Sequence, residues 1–322
     1  MRLGRFLLAR LLNAAAILLL VALLSFLMVG QAPGDYLNEL ASDPQVSPAS
    51  LQQMRQQYGL DRPFHIKFLN WLQTGLAGDL GYSFVYQRPI SGLISERIWN
   101  TVLLNGVALV AAWAFGVTLG VVAALKRGTA IDWLVGALAT LLVSVPAVIV
   151  SLLLLMLAAR LGLPIGGMSA PDSEALPLAG RLADLARHLA LPAAAVTAVL
   201  LPAVVRHTRA AMEETLEADY IRTARAKGAG RARILVHHAL RNALNPLTTL
   251  FGFSVSALLS ASLLVEVVMS WPGIGQLTYD AVLRRDLFLV VDLAVLSALL
   301  LMAGNIIGDL LLHLADPRVT QE

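Results

Sequence analysis

The sequence predicts an all-α membrane protein of about six transmembrane helices, with a long polar segment between the first and the second. Three observations lead there. Hydrophobic residues make up 57% of the 322 and charged residues only 14%, where soluble domains carry about 25% charge. Apolar runs recur at the length needed to cross a bilayer, about 20 residues. Lys and Arg alternate in density between successive connections, as they do across a membrane. Mean hydropathy is +0.72 and the pI about 9.4; basic inner loops account for that balance without nucleic acid.

The first run, Leu11 to Val29, follows Arg2 and Arg5. It exceeds the 7–15 residues of a usual signal-peptide core, so it reads as an uncleaved span. The others run from about Thr101 to Leu125, Ile131 to Ala159, His188 to Val205, Ala243 to Val268 and Phe288 to Leu314. Placing the N-terminus inside puts Lys126, Arg127, Arg206, Arg209 and the cluster from Arg222 to Arg241 inside, with Arg318. The short outer loops then hold only Arg160, Arg181, Arg187, Arg284 and Arg285. Both termini are therefore expected on the cytoplasmic side.

The outer segment, about Gln31 to Arg97, is broken by several prolines. In it, "SPASLQQMRQQYGL" predicts a short helix capped by Ser47 or Ser50 and ended at Gly59. A second, amphipathic helix carries Phe64, Phe68, Trp71 and Leu72 on one face. That face is expected to lie in the membrane interface or on the outer ends of the spans; docking of an external partner is the alternative.

Within the spans, Gly116/Gly120 and Gly304/Gly308 form GxxxG pairs, and Gly252, Ser256 and Ser260 a small-residue stripe. Such positions let helices approach closely. Ser254 and Ser262 add polarity to the fifth span, which would suit a polar path. Pro146, Pro192, Pro202 and Pro246 predict kinks. Glu266, Asp292, Asp309 and His313 lie near span ends, close enough to a boundary to reach water by snorkelling at least in part. Asp309 is expected to make a structural hydrogen bond or an ion pair with inner Arg residues, and Glu266 to be either a structural anchor or gate lining.

Enzymatic chemistry is missing. There is no cysteine, and none of the three lysines, Lys67, Lys126 and Lys227, follows a glycine, so there is no P-loop. HExxH and GxSxG are absent. No metal site is expected: His237 and His238, being adjacent, diverge on a helix, and His65 is alone. An ion-coupled secondary transporter is one reading of such a chain, but no carboxylate sits clearly at mid-span to couple an ion gradient.

The basic stretch Ala218–Pro246, "ADYIRTARAKGAGRARILVHHALRNALNP", predicts two short helices, about Met212–Lys227 and Arg231–Arg241, with Gly228 and Gly230 at the turn. Small residues Thr223, Ala224 and Ala226 would let the first enter a groove on another protein; binding of anionic lipid is the plainer reading.

This stretch resembles the EAA loop of ABC importer permeases. Arg222-Thr223-Ala224 stands for Glu-Ala-Ala and Gly228 falls at the expected spacing, while His238 and Arg241 replace the usual Ile and Pro. Together with "GDLGYS", "RPI", "TVLLN", "VEVVMSWPGIGQL", "AVLRRD" and "DLLLHLADPR", it is similar to the dipeptide/oligopeptide/nickel branch of binding-protein-dependent importer permeases over essentially the whole chain. The resemblance implies a type I ABC importer permease fold in the bacterial inner membrane, with an ion-coupled secondary transporter as the alternative. Residues 1–98 would form the first helix and a periplasmic segment, and 99–318 the permease core with a coupling loop at about 212–241. It implies a second homologous permease subunit, two cytoplasmic ABC ATPase subunits and a periplasmic or lipoprotein substrate-binding protein. ATP and Mg would belong to the ATPases, leaving this chain no cofactor. Tyr220, Arg222, Thr223, Ala224, Ala226, Lys227 and Gly228 would couple to the ATPase. Ser254, Ser256, Ser260, Glu266, Trp271, Pro272 and Gly273 would lie along the path or outer gate.

Overall fold

The computed structural model describes residues 2–31, 47–57 and 61–315, excluding the side chains of 2–11, 54, 245, 249, 259 and 307–315. The expectations for Gly59 and Arg318 lie outside the described residues, and those for Gly308, Asp309 and His313 concern side-chain surroundings outside the described ones. The chain falls into two compact units: residues up to Asn100 with Gly273–Met302, and Thr101–Pro272 with residues from Ala303.

The helices are α1 (Arg2–Gln31), α2 (Pro48–Gln57), α3 (Phe64–Leu76), α4 (Ile90–Leu125), α5 (Ala130–Ser144), α6 (Ala147–Leu161), α7 (Leu178–Glu217), α8 (Asp219–Ala226), α9 (Arg241–Val268), α10 (Ile274–Leu283) and α11 (Leu287–Ala315). A two-residue hairpin, β1 (Tyr82–Ser83) and β2 (Arg88–Pro89), pairs antiparallel before α4. Ser47 caps α2 as expected, its Oγ accepting from the Ser50 amide at 3.1 Å.

Five described helices are long and apolar enough to cross a membrane. The sixth candidate differs from its expectation: the run from Ile131 to Ala159 is not one rod but α5 and α6, bent by 106°. Val145 is extended, with φ −102° and ψ 121°, because a residue preceding proline is pushed out of the α region. Other spans are longer than their apolar runs, α4 and α7 among them. α4 begins at Ile90 rather than Thr101, and α7 extends about ten residues beyond each end of His188–Val205. At 1.5 Å per residue, α7 is ~60 Å long, so polar turns carry it past a 30 Å hydrocarbon layer. Pro192 and Pro202 lie buried within it without ending it.

In the second unit, α7 is the central packing element, against α5, α6 and α9. The core joins Leu104 and Ala108 of α4, Val196, Leu200 and Val204 of α7, and Leu258, Val265 and Trp271. The glycine pair of α4 makes a close approach possible. A Cβ on Gly116 would lie 2.7 Å from Val204 Cβ, and one on Gly120 2.7 Å from Thr208 Cβ. Gly304 of α11 meets Val255 of α9 in the same way, at 2.5 Å.

In the first unit, Ile90, Leu93, Leu277, Leu289 and Leu293 form the core. Phe26 of α1, almost wholly buried, gathers Phe68 and Trp71 of α3 at 5.5 and 5.4 Å and Phe288 of α11 at 6.2 Å. The aromatic face of α3 therefore packs on the ends of two span helices.

Candidate coupling segment and intramembrane polar ladder

α7 ends at Glu217, and Ala218, extended at ψ 147°, turns the chain into α8. The expected helix Met212–Lys227 is thus two helices with a corner between them. α8 divides sharply by face. Ile221 is fully buried, and Ala224 packs beside it in a cluster with Met212, Ile234, Ala239 and Ala243. Tyr220, Arg222, Thr223, Arg225, Ala226 and Lys227 are exposed. Ala224, one of the small residues expected to let the helix enter a partner's groove, is half-buried and packs into the seat that holds α8 on its own chain.

The end of α8 is fixed by Gly228 at φ +80°. The Gly228 amide donates to Arg225 O at 3.0 Å and the Ala229 amide to Ala224 O at 3.1 Å. These two bonds form a Schellman cap, with Ala229 and Ala224 making its apolar contact. Gly230, at φ −64°, needs no glycine. The expected second helix, Arg231–Arg241, is not separate: a turn at Arg231–Arg233 runs through a π-helical stretch, Ile234–Leu240, directly into α9. π-Helical turns often occur at functional sites.

An ion network surrounds the Glu217 end of α7. Arg209 pairs with Asp132 at 2.7 Å and with Glu213 at 3.1 Å, and Arg127 pairs with Glu217 at 2.7 Å. By contrast, Arg222 meets exposed Asp219, at 3.3 Å, one turn away on α8 itself.

A second polar arrangement links α4 and α9 through the bundle. Thr101 Oγ1 donates to Glu266 Oε1 at 2.8 Å, Asn105 Nδ2 to Ser262 Oγ at 3.0 Å, and Trp113 Nε1 to Ser254 Oγ at 3.3 Å. Thr101, Asn105, Ser254, Ser262 and Glu266 are all buried. Glu266 does not snorkel: it is wholly enclosed and hydrogen-bonded, as a polar group in a low-dielectric interior must be. Asp292 is likewise buried, and accepts from Trp71 Nε1 at 2.7 Å. Of the remaining path candidates, Ser256 binds Asn305 and Ser260 is exposed. Trp271 is fully buried in the core, Pro272 is half-buried, and Gly273 begins the turn into α10. The path candidates thus separate into inward-facing Ser254 and Glu266 and outward-facing Ser260.

Asp286 did not stand out in the sequence as a site residue. It is fully buried, accepting from Ser83 Oγ at 2.6 Å and the Val85 amide at 3.2 Å. Burial raises its carboxyl above the usual Asp range, and the donated hydrogen bonds oppose that shift. Nearby, Tyr86 donates to Asp280 at 3.2 Å; burial first, then the Asp280 charge, raises its phenol. The motifs "GDLGYS" and "AVLRRD" carried the signal, but nothing in their spacing showed that they meet.

A family described as "Binding-protein-dependent transport system inner membrane component" matches residues 116–321, and its N-terminal counterpart matches residues 3–105. Oligopeptide transport system permease protein AppB of Bacillus subtilis (strain 168) is 36% identical over 317 residues, covering 98% of each chain. Dipeptide transport system permease protein DppB of Escherichia coli (strain K12) is 34% identical over 317 residues, covering 93% of this chain and 94% of that one. Among solved structures, a chain of the MetNI methionine ABC transporter in an inward facing form aligns with a TM-score of 0.57 at 19% identity. The alignment covers 70% of this chain and 97% of that one, and supports the type I importer permease fold. The chain belongs to the family of binding-protein-dependent transport system inner membrane components.

Proposed function

We propose that this chain is a pore-forming permease subunit of an ATP-driven importer that carries peptides across the bacterial inner membrane. It pairs with a second homologous permease, docks cytoplasmic ABC ATPases and receives solute from a periplasmic or lipoprotein binding protein. Both termini lie in the cytoplasm. The relatives named for oligopeptide and dipeptide transport support the substrate class. ATP and Mg act on the ATPases.

The observation that carries the coupling role is the two-faced α8. Ile221 and Ala224 seat it on the bundle, while Tyr220, Arg222, Thr223, Ala226 and Lys227 remain available to a partner. A displacement of α8 acts directly on the end of α7 and on the helix leading into α9, because all three share one apolar cluster. α9 carries the buried polar ladder to α4, so movement at α8 has a packed route into the spans. The ATPase drives this movement by binding the two permease states with different affinity.

The test is purification of the chain from its native membrane in mild detergent, with mass spectrometry of its companions and uptake assays in vesicles. A second permease, P-loop ATPases and ATP-dependent peptide uptake are expected. Uptake that survives ATP depletion but collapses with the ion gradient would establish an ion-coupled carrier instead.

A further inference from the structure

We infer that α3 is an interfacial helix that lies in the membrane surface at the Gln31 end of α1 and presents Ile66, Leu69 and Leu76 to lipid. At about 100° per residue, its 13 residues divide into three sectors. Phe64, Phe68 and Trp71 face the chain, packed on Phe26. Lys67, Asn70 and Thr74 line an open cavity of about 400 Å³ shared with Asp79 and Tyr82. Between these sectors, next to half-buried Leu72, lie the exposed residues His65, Leu76, Leu69, Gln73 and Ile66; of the three apolar ones, Leu76, Leu69 and Ile66 are exposed by 83%, 59% and 36%.

The depth of α3 is set by what it touches. Phe26 lies five residues before the end of α1, hence ~8 Å along the helix axis from Gln31. The apolar stretch Leu12–Gln31 has 20 residues and matches a ~30 Å hydrocarbon layer. A helix about 10 Å across held against Phe26 therefore lies at the boundary between acyl chains and headgroups. Trp71 adds a second tie through Asp292, within the span part of α11. On α1 itself, Leu20, Leu24 and Met28 are exposed apolar residues of a lipid-crossing helix. A sector with three exposed apolar side chains, interleaved only with His65 and Gln73, beside the polar sector of Lys67, Asn70 and Thr74, at that depth, is the arrangement of a helix embedded sideways.

The chain has no cysteine, so single cysteines at Ile66, Leu69, Leu76 and Thr74 can each be labelled with an environment-sensitive fluorophore. The assembled transporter is placed in nanodiscs containing shallow-quencher lipids. Labels at Ile66, Leu69 and Leu76 should be blue-shifted and quenched at least 2-fold more than the Thr74 label, without any added protein. Equal, water-like emission from all four labels overturns the inference. So does protection of the three only after the substrate-binding protein is added, which would make the stripe a protein-docking surface.

Discussion

Ser83 donates its hydroxyl to Asp286 across 2.6 Å, and both residues are fully buried although 203 positions separate them. Asp286 also accepts from the Val85 amide, so one carboxylate ties the β-hairpin to the entrance of α11. Removing the acceptor with Asp286→Ala leaves the Ser83 hydroxyl and the Val85 amide without it, at an expected cost of about 1–3 kcal/mol. Ser83→Ala should cost less, about 1 kcal/mol. Thermal unfolding in detergent measures both, and equal stability of Asp286→Ala and wild type would refute the tie.

The same carboxyl predicts a pH dependence. Its folded pKa is raised by burial, so the native state holds the proton more tightly than the unfolded chain. Its contribution is fully present below the ordinary Asp pKa and is lost as pH rises through the raised folded value. The melting temperature of wild type relative to Asp286→Asn should therefore decline as pH rises from about 4. A difference that stays flat, or grows, would show that the folded pKa is not raised.

Glu266 holds Thr101 inside the bundle. Glu266→Ala should lower both stability and uptake, with a stability loss of about 1–3 kcal/mol. Glu266→Gln, which keeps the shape and an acceptor oxygen, should lose less. Equal effects of the two in paired melting and uptake assays would contradict a hydrogen-bonding role.

Gly120 lies where an added Cβ would meet Thr208 Cβ at 2.7 Å and the Val205 carbonyl oxygen at 2.8 Å. Since a backbone atom cannot rotate away, Gly120→Ala should force α4 from α7 and cost about 1–3 kcal/mol. Gly106, on the same helix, has nothing within 4 Å, and Gly106→Ala should be neutral or stabilising by up to about 1 kcal/mol. Melting of the two variants side by side decides it.

On α8, the two faces should fail differently. Ala226→Glu alters the exposed face and should leave melting within about 0.5 kcal/mol of wild type while reducing ATPase co-purification and uptake. Ile221→Glu buries a charge and should unfold the segment itself. Gly228→Ala has space for its methyl but must hold φ +80°, costing about 1 kcal/mol. Full ATPase retention and uptake by Ala226→Glu would argue against docking on that face.

Membrane class and most helix positions were legible in the sequence because lipid imposes a coarse rule: about 20 apolar residues per crossing, with every backbone group bonded internally. That rule located the spans but misread the third, since an apolar run looks the same whether straight or bent. Pro146 marked the break, yet Pro192 and Pro202 sit inside an unbroken helix. Pro146 is exposed, whereas Pro192 and Pro202 are buried.

The basic stretch after α7 shows the same division. Its residues alone establish that Ala218–Pro246 is basic and interrupted at Gly228, because glycine is the residue best suited to a left-handed cap. It took the packed fold to turn Ala224 inward and Ala226 outward, and to run the second helix on into α9. Likewise, Glu266 and Asp292 were visible as costly charges and Asp286 was not, and the partners of Glu266, Asp286 and Asp292, namely Thr101, Ser83 and Trp71, are 165, 203 and 221 positions away. Periodicity records which face of a helix is apolar. It carries no information about which distant donor arrives there, and in an interior that excludes water that donor decides whether a carboxylate can be buried.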